Sequence, residues 1–452
     1  MIVYDQLYPT IKSGWYNRLK EFVPTFAAYG GNIILIPPPY RTTYVGPDNK
    51  SLGYDPVSDL DIGQWDELRG GRASDAQDLA HEGAKHGVRL IADLPIHQYG
   101  GSPPYIERNR KGEKDKTLAY KPESLFGGSR DRVIAYDENG NAFGIRITYQ
   151  TSKPSGYMIK LKQQAIDFLD GVLGTVGGRF DAAKDESVAT LKALDRATGY
   201  FDMAEAWYGD NAGLDRVWNQ TKIPCVDFAS HYTYQAISQQ GAGLDALRYR
   251  QRYCDHNPGG AIIMVDNHDT DGKTANGQPT GVVNFKGWWY FDAATTPARG
   301  WCIYGGDYEI YDLQRLIHNY MWIHTRLAYG PKQWLISERD VAVWSRNGDG
   351  GAVGRSAGVV CGISADPFNT RWVWVDTPWR NTWVENYAVS GGPRVWVYAD
   401  GRACIPLPPN QYNRADNAVA YSLPGQGGAI KTHAVNLKLK DPLDFSNITV
   451  KL

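Results

Sequence analysis

The sequence predicts an α/β protein built on a closed (β/α)8 TIM barrel, with an excursion domain after strand three and a C-terminal antiparallel β-domain. Three observations predict it. Eight short apolar runs recur between Ile2 and Tyr304, most of them separated by helical patterns, which fits a closed parallel barrel better than an open sheet. A stretch rich in Gly, Pro and charge over 99–154 far exceeds the roughly 2 to 6 residues of an ordinary βα loop. After Gly330-Pro331 the pattern changes to short alternating runs of antiparallel type. The chain of 452 residues also exceeds the roughly 250 to 300 at which one core stops growing. The expected division is a barrel over 1–98 and 155–330, an excursion domain over 99–154 and a β-domain over 331–452.

The eight strand runs are IVYDQL (2–7), NIILI (32–36), VRLIAD (88–93), GRFD (178–181), FDMAE (201–205), IPCVDF (223–228), AIIMVD (261–266) and WCIY (301–304). A first helix is predicted by Trp15, Leu19, Phe22, Val23 and Phe26 at helical spacing. The next, SDAQDLAHEGAKHG, offers Ser74 and Gln77 as a capping box and Gly87 as a terminator. The last carries Leu313, Leu316, Ile317, Tyr320, Met321 and His324 on one face. Beyond it, VAVW (341–344), RWVWVD (371–376) and RVWVYAD (394–400) read as strands of the β-domain.

Composition narrows the function classes. Lys+Arg 48 against Asp+Glu 49, with no long basic run, argues against nucleic acid or a membrane surface as the main partner. No apolar run approaches the roughly 20 residues of a membrane span. The opening MIVYDQLY enters a strand without a signal-peptide pattern, so a cytoplasmic or a processed secreted protein is expected, as a monomer. Five scattered cysteines make neither a disulfide framework nor a zinc site, and HEGAKH has three residues where a zincin motif has two. The 15 Trp and 29 Tyr mostly fill cores, but flat rings with a polar tip also suit the apolar faces of sugars or aromatic ligands.

In a barrel of this kind the chemistry lies at the C-terminal ends of the strands. There stand Asp93 and His97, Arg179 and Asp181, Glu205, and His268 and Asp269. Strand residues two apart point to the same side, so Arg179 and Asp181 are presented together. Alone, each acid is more often a helix cap, a salt-bridge partner or a rim charge than a catalytic group. Jointly, Asp181, Glu205 and Asp269 converge over one mouth. Two carboxyls about 5 to 5.5 Å apart hydrolyse a glycosidic bond with retention, one as nucleophile and the other as acid, then base. Adjacent strands about 4.8 Å apart favour that shorter separation. Arg179 is expected to keep Asp181 ionised, while Glu205 needs a raised pKa to hold its proton. An acidic triad holding Mg²⁺ is the other barrel chemistry, and it leaves Arg179 and His268 without a role.

Four segments in order, RLIADLPIHQ (89–98), GGRFDAAKD (177–185), MAEAW (203–207) and MVDNHDT (264–270), resemble the α-amylase family of retaining glycoside hydrolases (glycoside hydrolase family 13). LGYDPVSDLDIG (52–63) is similar to the segment after strand two, and the likeness extends to the whole domain layout. The resemblance implies Asp181 as nucleophile, Glu205 as general acid/base and Asp269 as transition-state stabiliser. It implies Arg179 and His268 holding the glucosyl unit, Tyr54 stacking on its ring and Lys184 on the leaving-group side. From the residues alone, Tyr54 also fits a packed rim aromatic, Lys184 a solvated charge and His268 a core histidine. Where the family's first motif ends in Asn-His, this chain has His97-Gln98, and where the second continues Lys-His, it has Lys184-Asp185. The family's Asn is a calcium ligand and its His touches the sugar, so Gln98 offers an amide to substrate. The usual calcium site is altered at His97 and Asp185, which fit a direct hydrogen-bonded pair, so no cofactor is expected to be required, with calcium bound through other ligands as the alternative.

The expected function is endo-type hydrolysis of α-1,4-glucosidic bonds in starch-like glucans or maltooligosaccharides. Transglycosylation with the same residues and a non-catalytic glucan-binding module are the alternatives. In the β-domain, Trp372, Trp374 and Trp396 at alternating positions fit an inter-sheet core, with independent glucan binding as the other reading.

Overall fold

A computed structural model describes residues 1–5, 14–42, 53–54, 56–64, 67–68, 70–96, 98–101, 131–136, 142–150, 156–195, 201–271, 279–348, 357–427, 429–430 and 433–441. The eight predicted runs form one closed parallel barrel. Its strands are β1 (Ile2–Asp5), β2 (Ile33–Ile36), β3 (Arg89–Leu94), β4 (Gly178–Phe180), β5 (Met203–Ala204), β6 (Cys225–Asp227), β7 (Ala261–Ile263) and β8 (Gly300–Tyr304). β1 pairs with β2 on one side, Val3 opposite Ile33, and with β8 on the other, Ile2 opposite Trp301, which closes the ring. A long helix follows each strand: α1 (Trp15–Ala28), α2 (Ala73–His86), α3 (Gly156–Leu173), α4 (Val188–Leu194), α5 (Asn211–Thr221), α6 (Phe228–Gln239), α7 (Lys286–Thr295) and α8 (Tyr311–Arg326).

Strand alternation decides what fills the barrel. Val3, Ile33, Leu35, Ile91, Met203, Val226, Ile262 and Cys302 form an inner cluster. Their neighbours Ile2, Tyr4, Ile34, Leu90, Phe180, Ala204, Ile263 and Ile303 belong to the core shared with the helices. At about 25 cal/mol per Å² of apolar surface, each fully buried Val, Leu or Ile stabilises by roughly 1.5 to 3 kcal/mol. In β4 the inward position is Arg179, buried at 2% exposure. Burying a guanidinium is costly unless it is paired, so the barrel must supply carboxylates around it.

Helix α2 corrects one expectation. The capping carboxylate is Asp75, which accepts from the Arg72 N–H at 2.8 Å, because the helix starts at Ala73, ahead of Ser74. Gln77 instead donates to the Val172 and Lys440 carbonyls. Gly87 does end the helix, with φ 75 in the left-handed region where a Cβ is unfavourable.

The third strand continues into Gln98–Gly101, which with Asp131–Tyr136 and Ala142–Gln150 makes a three-stranded antiparallel sheet. The C-terminal strands are β9 (Lys332–Ser337), β10 (Val341–Arg346), β11 (Val359–Ser364), β12 (Arg371–Asp376), β13 (Thr382–Asn386), β14 (Val395–Val397), β15 (Arg402–Leu407) and β16 (Val419–Ser422). They form a six-stranded antiparallel sheet and the two-stranded ribbon β12–β15. Trp372, Trp374 and Trp396 are exposed, not inter-sheet core. The inward positions of those strands carry Val375, Ala403, Ile405, Val395 and Val397, which already fill the space. No described helix is long and apolar enough to cross a membrane.

A buried charge network joins barrel and β-domain. Lys332 on β9 reaches Asp292 on α7 at 2.9 Å and Thr296 at 2.8 Å, and Asp292 also pairs with Arg252 and accepts from Tyr234 at 2.8 Å. Burial opposes ionisation of Asp292, but Arg252 and Lys332 hold its carboxyl well below the usual range. Asp292→Asn strips Lys332 of its counter-charge and leaves Arg252 with Asp255 alone, and a loss of about 3 kcal/mol in urea unfolding is expected. A loss below about 1 kcal/mol refutes that role for the network.

Candidate active site

The strand phase that buries Ile91 and Met203 also aims Asp93 and Glu205 inward at the C-terminal ends of β3 and β5. The registers Asp93 opposite Arg179 and Met203 opposite Arg179 then put both acids beside the buried guanidinium. Close approach of β4 and β5 requires Gly177: a Cβ there would meet the Phe201 carbonyl oxygen at 2.1 Å.

Arg179 is the hub. Its Nη1 donates to Asp93 Oδ2 at 2.6 Å and to Asp181 Oδ1 at 3.1 Å. Its Nη2 pairs with Glu205 Oε1 and lies 4.0 Å from Asp269 Oδ2. Burial works against its charge, but Asp93 and Glu205 more than compensate, so the guanidinium stays charged. Glu205 also faces Asp181 and Asp269 within hydrogen-bonding reach, and its Oε2 accepts from the Ala182 N–H at 3.0 Å. Ala182 holds φ 47, a left-handed conformation costing roughly 1 to 2 kcal/mol in a non-Gly residue, at the turn that delivers this N–H.

The geometry divides Arg179 among several acids. Arg179 does not keep the Asp181 carboxyl at an ordinary value. Burial raises it well above the usual range, Arg179 pulls it down, and Asp93 and Glu205 push it up again. The single cation is shared, its closest contacts being Glu205 and Asp93. Burial, Asp93 and Glu205 thus favour the neutral form of the Asp181 carboxyl, and Arg179 opposes them.

The fourth motif is held by its own polar side chains. The Asn267 side-chain oxygen accepts from the backbone N–H groups of Asp269 at 3.0 Å and Thr270 at 2.9 Å, and the Thr270 hydroxyl donates to Asp266 at 2.9 Å. Asp266 is buried and takes Lys286 at 3.0 Å and the Val282 N–H. This turn fixes His268 and Asp269. His268 Nε2 lies 3.1 Å from the Tyr54 hydroxyl and 3.3 Å from Asp269 Oδ2. Burial, with Arg179 second, pushes the imidazole down to about 4, so it is neutral at pH 7. The Tyr54 proton goes to Asp93, so both neighbours of Nε2 accept and the ring proton sits there. Burial raises the Asp269 carboxyl, although its side chain is 40% exposed and solvent tempers the effect.

The structure thus brings together Tyr54, Arg179, Asp181, Glu205, His268 and Asp269. Tyr54 lies flat against His268, ring centroids 5.7 Å apart at 8°. Trp207 stacks on Phe228 at 4.7 Å and donates to the Tyr232 hydroxyl at 2.7 Å, and all three pack with Tyr54 against the inner barrel cluster. Lys184 is not in the cluster: it lies exposed, 5.6 Å from the centre of the Tyr208 ring. Gln98 pairs with Gln150 in the sheet, but its side chain, like His97, lies outside the described residues. Asp185 is exposed at the end of the Ala183–Asp185 turn. Among the described residues, no group of three or more His, Cys, Asp or Glu is placed to hold a metal ion. Asp93, which the sequence places at the end of the third strand without a role, is the acid closest to Arg179 Nη1 and accepts from the Tyr54 hydroxyl.

No family model matches the chain. Solved structures do. α-Amylase I from Eisenia fetida aligns with TM-score 0.68 at 14% identity over 93% of this chain and 97% of its own. A substituted form of that α-amylase I, in complex with maltohexaose, gives 0.67 at 13% identity over 93% and 97%. A γ-CGTase from alkalophilic Bacillus clarkii gives 0.67 at 14% identity over 93% of this chain and 70% of its own. The chain has the fold of these proteins.

Proposed function

We propose that this chain is a retaining glycosidase of the α-amylase family that hydrolyses α-1,4-glucosidic bonds in starch-like glucans. The observation that carries the reading is the sharing of Arg179 by Asp181 and Glu205 from adjacent strands, with Asp269 across the mouth. An α-amylase of the same fold is found with maltohexaose, which supports an α-glucan as the substrate class here.

In the proposed reaction an Asp181 oxygen attacks the anomeric carbon while the bond to the leaving oxygen breaks and Glu205 gives that oxygen its proton. Glu205, now ionised, takes a proton from water as the water oxygen attacks the same carbon and releases Asp181. The reaction starts with one proton on the pair, and sugar bound between the two carboxyls assigns it to Glu205. Arg179 remains a cation and opposes the charge left on whichever acid is ionised. Asp269 and His268 bind hydroxyls of the glucosyl unit, and Tyr54 covers its ring. Gln98 and Lys184 act further out, toward the excursion sheet and the leaving group. With His97 and Asp185 where the family has its calcium region, metal is not required.

The test is a product profile on soluble starch and on short maltooligosaccharides, with and without a chelator, followed by NMR of fresh digest. The expected result is a rise in reducing ends, α-anomer first, unchanged by EDTA. The β-anomer first refutes the covalent intermediate on Asp181. Size redistribution with constant reducing ends makes the chain a transglycosylase.

A further inference from the structure

We propose that the outward face of the C-terminal β-domain is a second α-glucan-binding site, separate from the carboxylate cluster. The proposal rests on the α-glucan reading of the active site for its choice of ligand.

Five aromatic side chains stand on that face with 37 to 62% of their surface exposed: Trp372, Trp374, Tyr398, Trp396 and Trp383. The backbone places them in a row. Trp372 and Trp374 are two apart on β12, hence on one side and about 6.6 to 6.8 Å from each other along the strand. Trp396 on β14 and Tyr398 just beyond it are likewise two apart. Tyr398 bridges to Trp374 with ring centroids 5.8 Å apart, and Trp396 sits opposite Trp383 in register, their rings 5.4 Å apart. The other side of the same strands is the packed Val, Ala and Ile cluster, so the core of the domain is filled without these rings.

Two features choose the occupant. The charges on or beside the face are matched: Arg371 with Asp340 at 2.9 Å, Arg394 with Glu385, and Arg402, which lies over the Trp374 ring, opposite Asp376 in register. A neutral ligand fits such a surface better than a charged macromolecule. Every large exposed hydrophobic described between 357 and 427 is aromatic, with no exposed Leu, Ile, Val or Met among them. Flat rings edged by polar groups suit the C–H faces and hydroxyl rims of a glucan chain.

The test uses the full chain and granular starch at low temperature, comparing wild type with Trp372→Ala/Trp374→Ala and with Trp396→Ala/Tyr398→Ala. Circular dichroism checks the fold, and maltoheptaose hydrolysis and sedimentation velocity are measured on the same samples. The expected result is a drop in granule partition of about tenfold or more in each pair, with maltoheptaose hydrolysis and sedimentation unchanged. Unchanged partition, or no granule binding by wild type, overturns the proposal even if maltoheptaose is cleaved. So does a wild-type dimer that the substitutions dissociate, which would make the face a protein interface. Failure of wild type to cleave any α-glucan while still binding granules through these rings would instead sink the active-site reading alone.

Discussion

Glu205→Gln is expected to lower turnover on starch by about 10² to 10⁴, the range of a positioned general acid/base. The substitution is not sterically innocent, and the geometry says how. Glu205 meets one partner on each oxygen: its Oε1 is ion-paired with Arg179 Nη2 and its Oε2 accepts from the Ala182 N–H. An amide has one oxygen, so its NH2 must face one of those donors, leaving a buried polar contact that costs roughly 1 to 3 kcal/mol. Loss of rate alone therefore does not identify the acid. Leaving-group chemistry does. An aryl α-maltoside leaves as a stabilised phenolate and needs no proton, whereas the second step still needs the Glu205 base. The variant should release a burst of about one aryl group per enzyme and then stall, while starch shows almost no first step. Equal loss on both substrates without a burst, or more than a tenth of wild-type turnover on starch, rejects Glu205 as acid/base.

Much of this site was legible from two local patterns. The alternation of eight apolar runs with helical segments predicted the barrel and put Glu205 at a strand end, and the period of two along a strand put Arg179 and Asp181 on one side. What was not legible depended on competition among groups distant in sequence. Asp93 lies 86 residues from Arg179, yet it is held at 2.6 Å and displaces Asp181 as the guanidinium's closer partner. With the cation divided in this way, burial sets the direction of the Asp181 shift, which the Arg-x-Asp spacing alone had suggested otherwise. The exposed tryptophans of β12 and β14 show the same limit. Alternation correctly assigns two faces to each strand, but which face is dry depends on the sheet opposite, and there Val and Ala had already filled the core. The capping box of α2 failed by two residues for a local reason: Asp75 is a better-placed acceptor for the Arg72 N–H than Ser74 or Gln77.

Arg179→Met should abolish measurable hydrolysis, a loss of 10³ or more, because it removes the one cation among Asp93, Asp181, Glu205 and Asp269 and leaves buried acids without a counter-charge. The sign of its pH dependence follows from the directions already fixed. A carboxyl raised in the folded state contributes stability that is present below its unfolded value of 3.8 and is lost as pH rises through the folded value. Arg179 lowers the Asp181 carboxyl, so without it that value rises further, and the melting-temperature deficit of the variant should widen as pH rises above the unfolded value and through the folded one. Activity gives the complementary readout through Asp93→Asn. Asp93 pushes Asp181 up by its charge and also holds Arg179 away from it, so its neutralisation lowers the value at which the pair takes up a second proton. The acid limb of kcat/KM, where the nucleophile is lost by protonation, should then move to lower pH in Asp93→Asn and to higher pH in Arg179→Lys, whose point charge cannot serve both acids at once. Asp93→Asn also weakens the Tyr54 contact, and some fall in kcat is expected from that alone. A purely structural role for Asp93 lowers kcat and leaves the limb where it was. That result, or limbs moving in the same direction in both variants, overturns the account of Arg179 as a shared cation that sets the charge state of the pair.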